Sequence, residues 1–286
     1  MKRNIIVRAP VLSMSGYGEQ SRFALRALRK YESFLNIYII PVSWGQTGWV
    51  HADDEERHWM DNRIKETVGY IQSGGKFDYS LQITIPNEWE NMAAYNIGFT
   101  AGIETTKVSP EWIQKTNFMN KVIVVSNHSK NVFENTSYKH TNPDTGVEEI
   151  LSCTTPIDVV NFCVTDVATE EVDLDLEYDF NYLVVAQNGP RKNLENTVKW
   201  FIEENYDQEV GLVLKVFTKS GSIIDRSYTT KYLENILRKP EYEGRDCKVY
   251  LLHGDLSTEE MSGLYNHPKI KALISITHGE GFGLPM

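Results

Sequence analysis

Apolar runs of strand length alternate with helically spaced stretches along most of this chain. Residues 4–9 form a compact apolar run, Ser13-Met14-Ser15-Gly16-Tyr17-Gly18 follows, and Phe23, Ala27 and Tyr31, with Ala24 and Leu28, then recur at helical spacing. The pattern predicts strand, glycine loop, helix. Further strands are expected over 35–42, 77–85, 95–99 and 121–125, with Pro86 stopping the second of these. Residues 54–72 are charged and predict a helix. Ser109 followed by Pro110 marks another helix start, an N-cap with proline at the first helical position. A short helix is expected over 130–136, a polar, turn-rich segment over 138–147, and β-like runs around Cys153 and Cys163.

Residues 166–179 break the pattern. They carry Asp166, Glu170, Glu171, Asp173, Asp175, Glu177 and Asp179, a composition shift that reads as an acidic linker or a solvated element. The alternation then restarts. Strands are expected at 181–186, 211–217, 248–253 and 271–277, and helices at 194–204, 227–238 and 257–266, the last opened by a Ser257–Glu260 capping box. Alternating β and α of this length means parallel sheets wrapped by helices. Two runs of it predict two Rossmann-like domains: an N-terminal one at 1–165, the linker at 166–179, and a C-terminal one at 180–286.

With 286 residues, 41% of them apolar, the chain has enough material for two ordinary cores. Its formal charge of −10 counts against a general nucleic-acid groove or an anionic-membrane surface, which need clustered Lys and Arg. No apolar run reaches the roughly 18 residues of a transmembrane helix, and residues 1–4 lead into a short strand rather than a secretory signal. The three cysteines, Cys153, Cys163 and Cys247, lack metal-ligand spacing and read as reduced thiols of a cytoplasmic protein. The sequons at Asn127 and Asn135 are then chance matches.

Open α/β sheets hold polar ligands where loops leave the carboxyl ends of the strands. Gly16-Tyr17-Gly18 opens a helix there, where close backbone approach and helix N–H groups suit a phosphate or a sugar oxygen. It lacks the G-x-G-x-x-G spacing of a dinucleotide fingerprint, and its bland reading is a plain βα turn. Arg191 and Lys192 stand at a helix start, where cations oppose the macrodipole. An anionic ligand resolves that conflict; a solvated turn capped by Asn193 is the alternative. Lys215 and Lys219 flank the end of the next strand and are candidates for the same anion, or simply exposed strand-end lysines. The sharpest stretch is His278-Gly279-Glu280-Gly281-Phe282-Gly283-Leu284-Pro285, after the last expected strand. Glu280 can accept sugar hydroxyls, and the glycines bring backbone N–H groups close. Glu104, after a first-domain strand, faces the cleft or caps a turn. His128 and His278 read more readily as hydrogen-bonded bystanders than as bases. Asn87-Glu88-Trp89-Glu90 lines the acceptor side or forms an exposed loop. Asp173-Leu174-Asp175 matches D-x-D but has no strand before it, so it reads as solvated charge and no metal site is assigned.

Taken together these residues resemble the retaining glycosyltransferases of family 4. The resemblance rests on 183–186 through Arg191-Lys192-Asn193, on 248–254 with Ser257-Thr258-Glu259-Glu260-Met261 and Leu264-Tyr265, and most strongly on Glu280-Gly281-Phe282-Gly283-Leu284-Pro285. Gly16-Tyr17-Gly18, Gly102-Ile103-Glu104 and Val124-Val125-Ser126 fit more loosely. It implies an α/β GT-B fold, two Rossmann-like domains facing across a cleft. It also implies roles. Lys192, with Arg191 beside it, would pair with the donor diphosphate, and Glu280 would hold the transferred sugar. Phe282, Gly283 and Leu284 would give backbone contacts, and Gly16 and Gly18 would cover the phosphate. The donor would be a nucleotide sugar such as a UDP- or GDP-sugar, the acceptor a glycan, lipid, protein or modified base, and no metal or other cofactor would be needed.

Three departures matter. Gln187 stands near a position where the family often has arginine, Ile103 where a histidine often precedes the first-domain glutamate, and the second glutamate of the E-x7-E pattern would fall beyond Met286. The second domain is therefore expected to be incomplete, with an exposed apolar sheet face, possible self-association there, and weak or no transfer. The reading in a different class is a non-catalytic nucleotide or sugar-phosphate binder. A sugar-nucleotide epimerase of similar architecture fits Glu280 and its turn poorly.

Overall fold

The computed structural model describes residues 2–141, 146–280, 283 and 285, without the His140 side chain. The chain divides into two compact units, Met1–Cys163 and Val164–Met286.

In the first unit the chain runs β1 (Arg3–Ala9), α1 (Gly16–Arg29), β2 (Leu35–Pro41), α2 (Glu55–Gln72), β3 (Tyr79–Ile83), β4 (Tyr95–Thr100), α3 (Pro110–Asn117), β5 (Lys121–Val124), α4 (Asn127–Asn135), β6 (Ser137–Thr141), β7 (Glu148–Ser152) and β8 (Ile157–Val159). Six strands form one parallel sheet in the order β2-β1-β3-β4-β5-β8. Central β1 is buried on both faces through Ile5, Ile6, Val7 and Ala9, as a helix-wrapped parallel sheet requires.

Several local expectations shift. Ser15 caps α1, its Oγ accepting from the Gly18 amide at 3.0 Å. Gly16-Tyr17-Gly18 opens the helix as expected and forms its first turn. The buried stripe of α1 runs through Gly18, Ser21, Arg22 and Leu25, while Ala27 and Tyr31 are exposed. The helix was expected and Ala24 and Leu28 pack against the core as its spacing implied, while Phe23 meets Phe162 at a 5.9 Å edge-to-face contact. The α4 helix starts three residues earlier than expected, capped by Ser126. The polar stretch expected to be turns contains β6, which pairs with β7 as an antiparallel ribbon. β7 carries no alternating burial, so period-two patterning had little to report there. No strand forms around Cys163. Trp89, expected in a lining or exposed loop, is 1% exposed core, and its ring occupies the space a Cβ on Gly98 would need.

The second unit runs β9 (Asn181–Gln187), α5 (Leu194–Asn205), β10 (Gly211–Phe217), α6 (Ile223–Leu237), β11 (Lys248–Leu252), α7 (Thr258–Tyr265) and β12 (Ile270–Leu273). Its parallel sheet has the order β11-β10-β9-β12. The capping box of α7 is formed in both directions, at 2.6 and 3.0 Å. Helix α6 starts at Ile223, four residues before the expected point. Its first turn leaves Ile223 and Ile224 in solvent, so no apolar stripe marks it.

Both faces of this sheet are covered at its centre. Val184, Leu212, Leu214 and Val216 pack with α5 and α6 residues on one side. Leu183 and Val213 pack with Leu176 and Leu264 on the other. The expected bare apolar face is thus absent from the central strands. Part of the cover comes from the acidic segment, which lies within the second unit. Its carboxylates point outward while Leu174 and Leu176 turn into the core. The Glu170 amide donates to the Glu259 carbonyl at 3.1 Å. The Glu170 carbonyl lies 1.7 Å from where a Cβ on Gly263 would stand, so only glycine fits beneath it.

Candidate functional site

In the order β11-β10-β9-β12 the direction of winding reverses between β9 and β12, and ligands of open α/β sheets sit at such a switch point, outside the carboxyl ends of the strands. The loops leaving β9 and β12 meet there. After β9 the chain makes a tight turn, Pro190–Lys192, and Asn193 takes a left-handed conformation, φ 54°, that asparagine tolerates better than most residues. The β12 loop docks on this turn. The His278 amide donates to the Arg191 carbonyl at 2.9 Å, Thr277 Oγ1 donates to the same oxygen at 3.0 Å, and Asn193 Nδ2 donates to the Ile276 carbonyl at 3.2 Å.

This scaffold brings three of the expected residues together. Arg191 donates to Glu280 Oε2 at 3.0 Å and to the Gly279 carbonyl, and Lys192 Nζ donates to Glu280 Oε1. The Lys192 and Glu280 side chains are only 16% and 17% exposed, Arg191 53%. Burial pushes the Glu280 carboxyl up, but the bonds and charges of Lys192 and Arg191 outweigh it and hold the group below the usual carboxylate range. Two cations against one carboxylate leave the cluster net positive.

The other expected residues lie elsewhere. Lys215 is buried in β10, 7% exposed, and its ammonium donates to the Gly254 carbonyl in the loop after β11 rather than joining Arg191 and Lys192. Burial lowers its pKa, while Asp255 and Glu260 act in the opposite direction. Lys219 is exposed. His278 contributes its backbone amide. Gly283 is buried with φ 79°, a conformation that favours glycine. Gly281, Phe282 and Leu284 lie outside the described residues. Asp173 and Asp175 are exposed, and among the described residues no three His, Cys, Asp or Glu side chains cluster as metal ligands.

In the first unit Gly18 packs so closely that a Cβ there would stand 2.0 Å from the Ser13 carbonyl, whereas Gly16 faces open space. Tyr17 is tied inward, its hydroxyl 2.9 Å from Thr100 Oγ1 and accepting from the Ala101 amide at 3.0 Å. Glu104 is exposed in the loop after β4, and His128 is exposed in the first turn of α4.

Sequence reasoning missed one buried constellation. Asp225 accepts from the Thr218 and Lys219 amides at 2.9 and 2.8 Å and meets His253 Nε2 at 2.8 Å, tying the β10 loop to the end of β11. Burial pushes the Asp225 carboxyl up, and these donors more than offset it, so its pKa lies below the usual range. The available clue was Ser222-x-x-Asp225, a helix-start pattern upstream of the expected start of α6.

Among solved structures, the lipopolysaccharide outer core galactosyltransferase WaaB in its apo form superposes with a TM-score of 0.51 at 10% identity, over 100% of this chain and 76% of that one. The crystal structure of Anabaena HepE in complex with UDP-glucose gives 0.50 at 12% identity, over 98% and 75%. The fold is that of the GT-B glycosyltransferases. No protein-family profile and no curated protein matches the chain. No helix among the described residues is long and apolar enough to cross a membrane.

Proposed function

We propose that this chain is a glycosyltransferase of the family 4 kind, moving a sugar from a nucleotide-sugar donor to an acceptor with retention of configuration and without a divalent metal. The observation that carries the reading is the Arg191–Lys192–Glu280 cluster at the switch point of the second sheet. In transfer, the leaving nucleoside diphosphate gains negative charge. Fixed cations that need no reorganisation stabilise it as the bond to the sugar breaks. Lys192 and Arg191 take this role. Glu280, anchored by them and ionised, accepts hydroxyl hydrogen bonds from the sugar and fixes its orientation. Gly283 supplies a backbone contact. Glu104 is the further acid assigned to the first unit. That HepE was solved with UDP-glucose supports a nucleotide-sugar donor.

A second reading, nucleotide binding without turnover, is favoured by Gln187. It stands near the place where the family often has arginine, and its Nε2 donates to the Thr218 carbonyl at 3.0 Å, so the site has one fewer cation. Phosphorus NMR of the chain with UDP- and GDP-sugars, each with a panel of acceptors and with or without EDTA, separates the two. Release of nucleoside diphosphate that survives EDTA, with a glycosylated acceptor whose anomeric configuration by proton NMR equals the donor's, supports transfer. Binding with no release from any donor supports the second reading.

A further inference from the structure

At the carboxyl end of β1 in the first unit lies a small aromatic recess. The segment after β2 folds back along the segment after β1: the Met14 amide donates to the Gly48 carbonyl and the Val50 amide to the Leu12 carbonyl, both at 2.8 Å, and Ser13 pairs with Trp49 in an antiparallel bridge. Between them is a cavity of about 90 Å³, lined chiefly by Ser13, Ser43, Trp44, Thr47 and Trp49. About three waters would fill it, at roughly 30 Å³ each.

The recess is held from behind. Buried Arg22 donates to the Val11 and Ser13 carbonyls at 2.9 and 3.0 Å, fixing the β1 loop. The Tyr17 ring lies 4.3 Å from Trp44, and Tyr17 is itself locked through Thr100 and Ala101. Ser13 Oγ and Thr47 Oγ1 are 2.6 Å apart. In front, Trp49 is 52% exposed and Met14 39%. An indole presented to water on a rigid support pays little ordering cost when a ligand stacks on it. No lining residue of the cavity carries a charge, so the recess suits a neutral ligand and not a phosphate, a nucleotide or an acidic peptide. A ligand that matches must offer an apolar face to the indole and hydroxyls to Ser and Thr. A pyranose does both, with C–H bonds on its ring faces and hydroxyls around its rim.

We propose that Trp49 and Trp44, with Ser13, Ser43 and Thr47, form a subsite for a neutral pyranose unit of the acceptor, which makes the acceptor a glycan or glycoside. The sugar ring lies on Trp49, and one hydroxyl-bearing arm enters the cavity. This rests on the glycosyltransferase reading for the word acceptor, but the subsite itself is defined by its own chemistry. Saturation-transfer NMR of the full chain with methyl hexopyranosides, short oligosaccharides, uridine and guanosine tests it. The expected result is transfer to the ring C–H protons of at least one pyranoside. Trp49→Ala should cut that affinity by about tenfold or more, the scale of a lost aromatic contact with its buried area. Trp49→Phe should recover part of it, and the calorimetric affinity for UDP or GDP should stay unchanged in both. No transfer to any pyranoside, transfer unaltered in both variants, or nucleosides displacing the sugar from this recess would overturn the proposal. Pyranoside binding without any nucleotide binding would leave the subsite standing and remove the glycosyltransferase reading; nucleotide binding without pyranosides does the reverse.

Discussion

Lys192 and Glu280 lie 88 residues apart in the chain and share an ion pair where the loops after β9 and β12 meet. Arg191 takes the carboxylate's other oxygen at 3.0 Å. The pair therefore does two jobs. With Arg191 it clamps the loops together and sets two cations around one ionised carboxylate, the arrangement on which the proposed donor-binding role rests.

Glu280 makes the clamp pH-dependent in a known direction. Its folded pKa is depressed, so the stabilisation it brings is present above the unfolded carboxylate value of about 4.3 and is lost as pH falls through the folded one. Glu280→Gln should melt earlier than the parent at neutral pH, with the gap closing in the acid range below that value. Thermal melts across pH check this, and a gap that is the same at all pH values contradicts it.

Lys215 behaves in the opposite sense. Burial lowers its pKa, so its charge costs stability at neutral pH, and the cost is relieved as pH rises from the folded value toward the unfolded value of about 10.4. Lys215→Met keeps the volume and removes the buried charge. It should be as stable as the parent or more so at pH 7, and should lose the parent's gain in stability on going to alkaline pH. Denaturant melts at pH 7 and pH 9.5 measure it, and a marked loss of stability at pH 7 would show that the bond to the Gly254 carbonyl outweighs desolvation.

Asp225 is the most heavily used carboxylate in the second unit, with two amides and His253 on it. Asp225→Ala leaves these donors without that partner, and should cost about 1–3 kcal/mol, the scale of a buried polar group left unsatisfied. Its depressed pKa puts this stabilisation above the carboxylate range, to be lost as pH falls. Urea titration gives the number. A change below about 1 kcal/mol would mean that the network contributes no more than a typical hydrogen bond.

Much of the fold was legible because parallel strands buried on both faces leave continuous apolar runs. The run at 211–217 became β10 residue for residue, and the Ser257–Glu260 capping box became the start of α7. What stayed hidden had no apolar period to show. β7 lacks alternating burial, and α6 opens with Ile223 and Ile224 in solvent. Arg22 of α1 is buried to hold carbonyls while Tyr31, just past the helix, is out in water, so side-chain type misplaced part of the buried stripe. For the candidate site, Arg191, Lys192 and Glu280 were each marked by a local conflict: cations at a helix start, a carboxylate among glycines. Their pairing, the inward turn of Lys215 and the Asp225–His253 bond are long-range contacts that no local pattern carries.

The central claim, that the β9 turn is built for a nucleoside diphosphate, is tested most directly by calorimetric titration of UDP, GDP and their sugars into the parent chain and into Lys192→Ala. The account predicts binding of at least one nucleoside diphosphate by the parent. It predicts a loss of about 1.5–3 kcal/mol in the variant, the worth of a hydrogen bond to a charged group, or roughly 10- to 150-fold. Equal affinity in the two proteins, or no nucleotide binding by a folded parent, would contradict it.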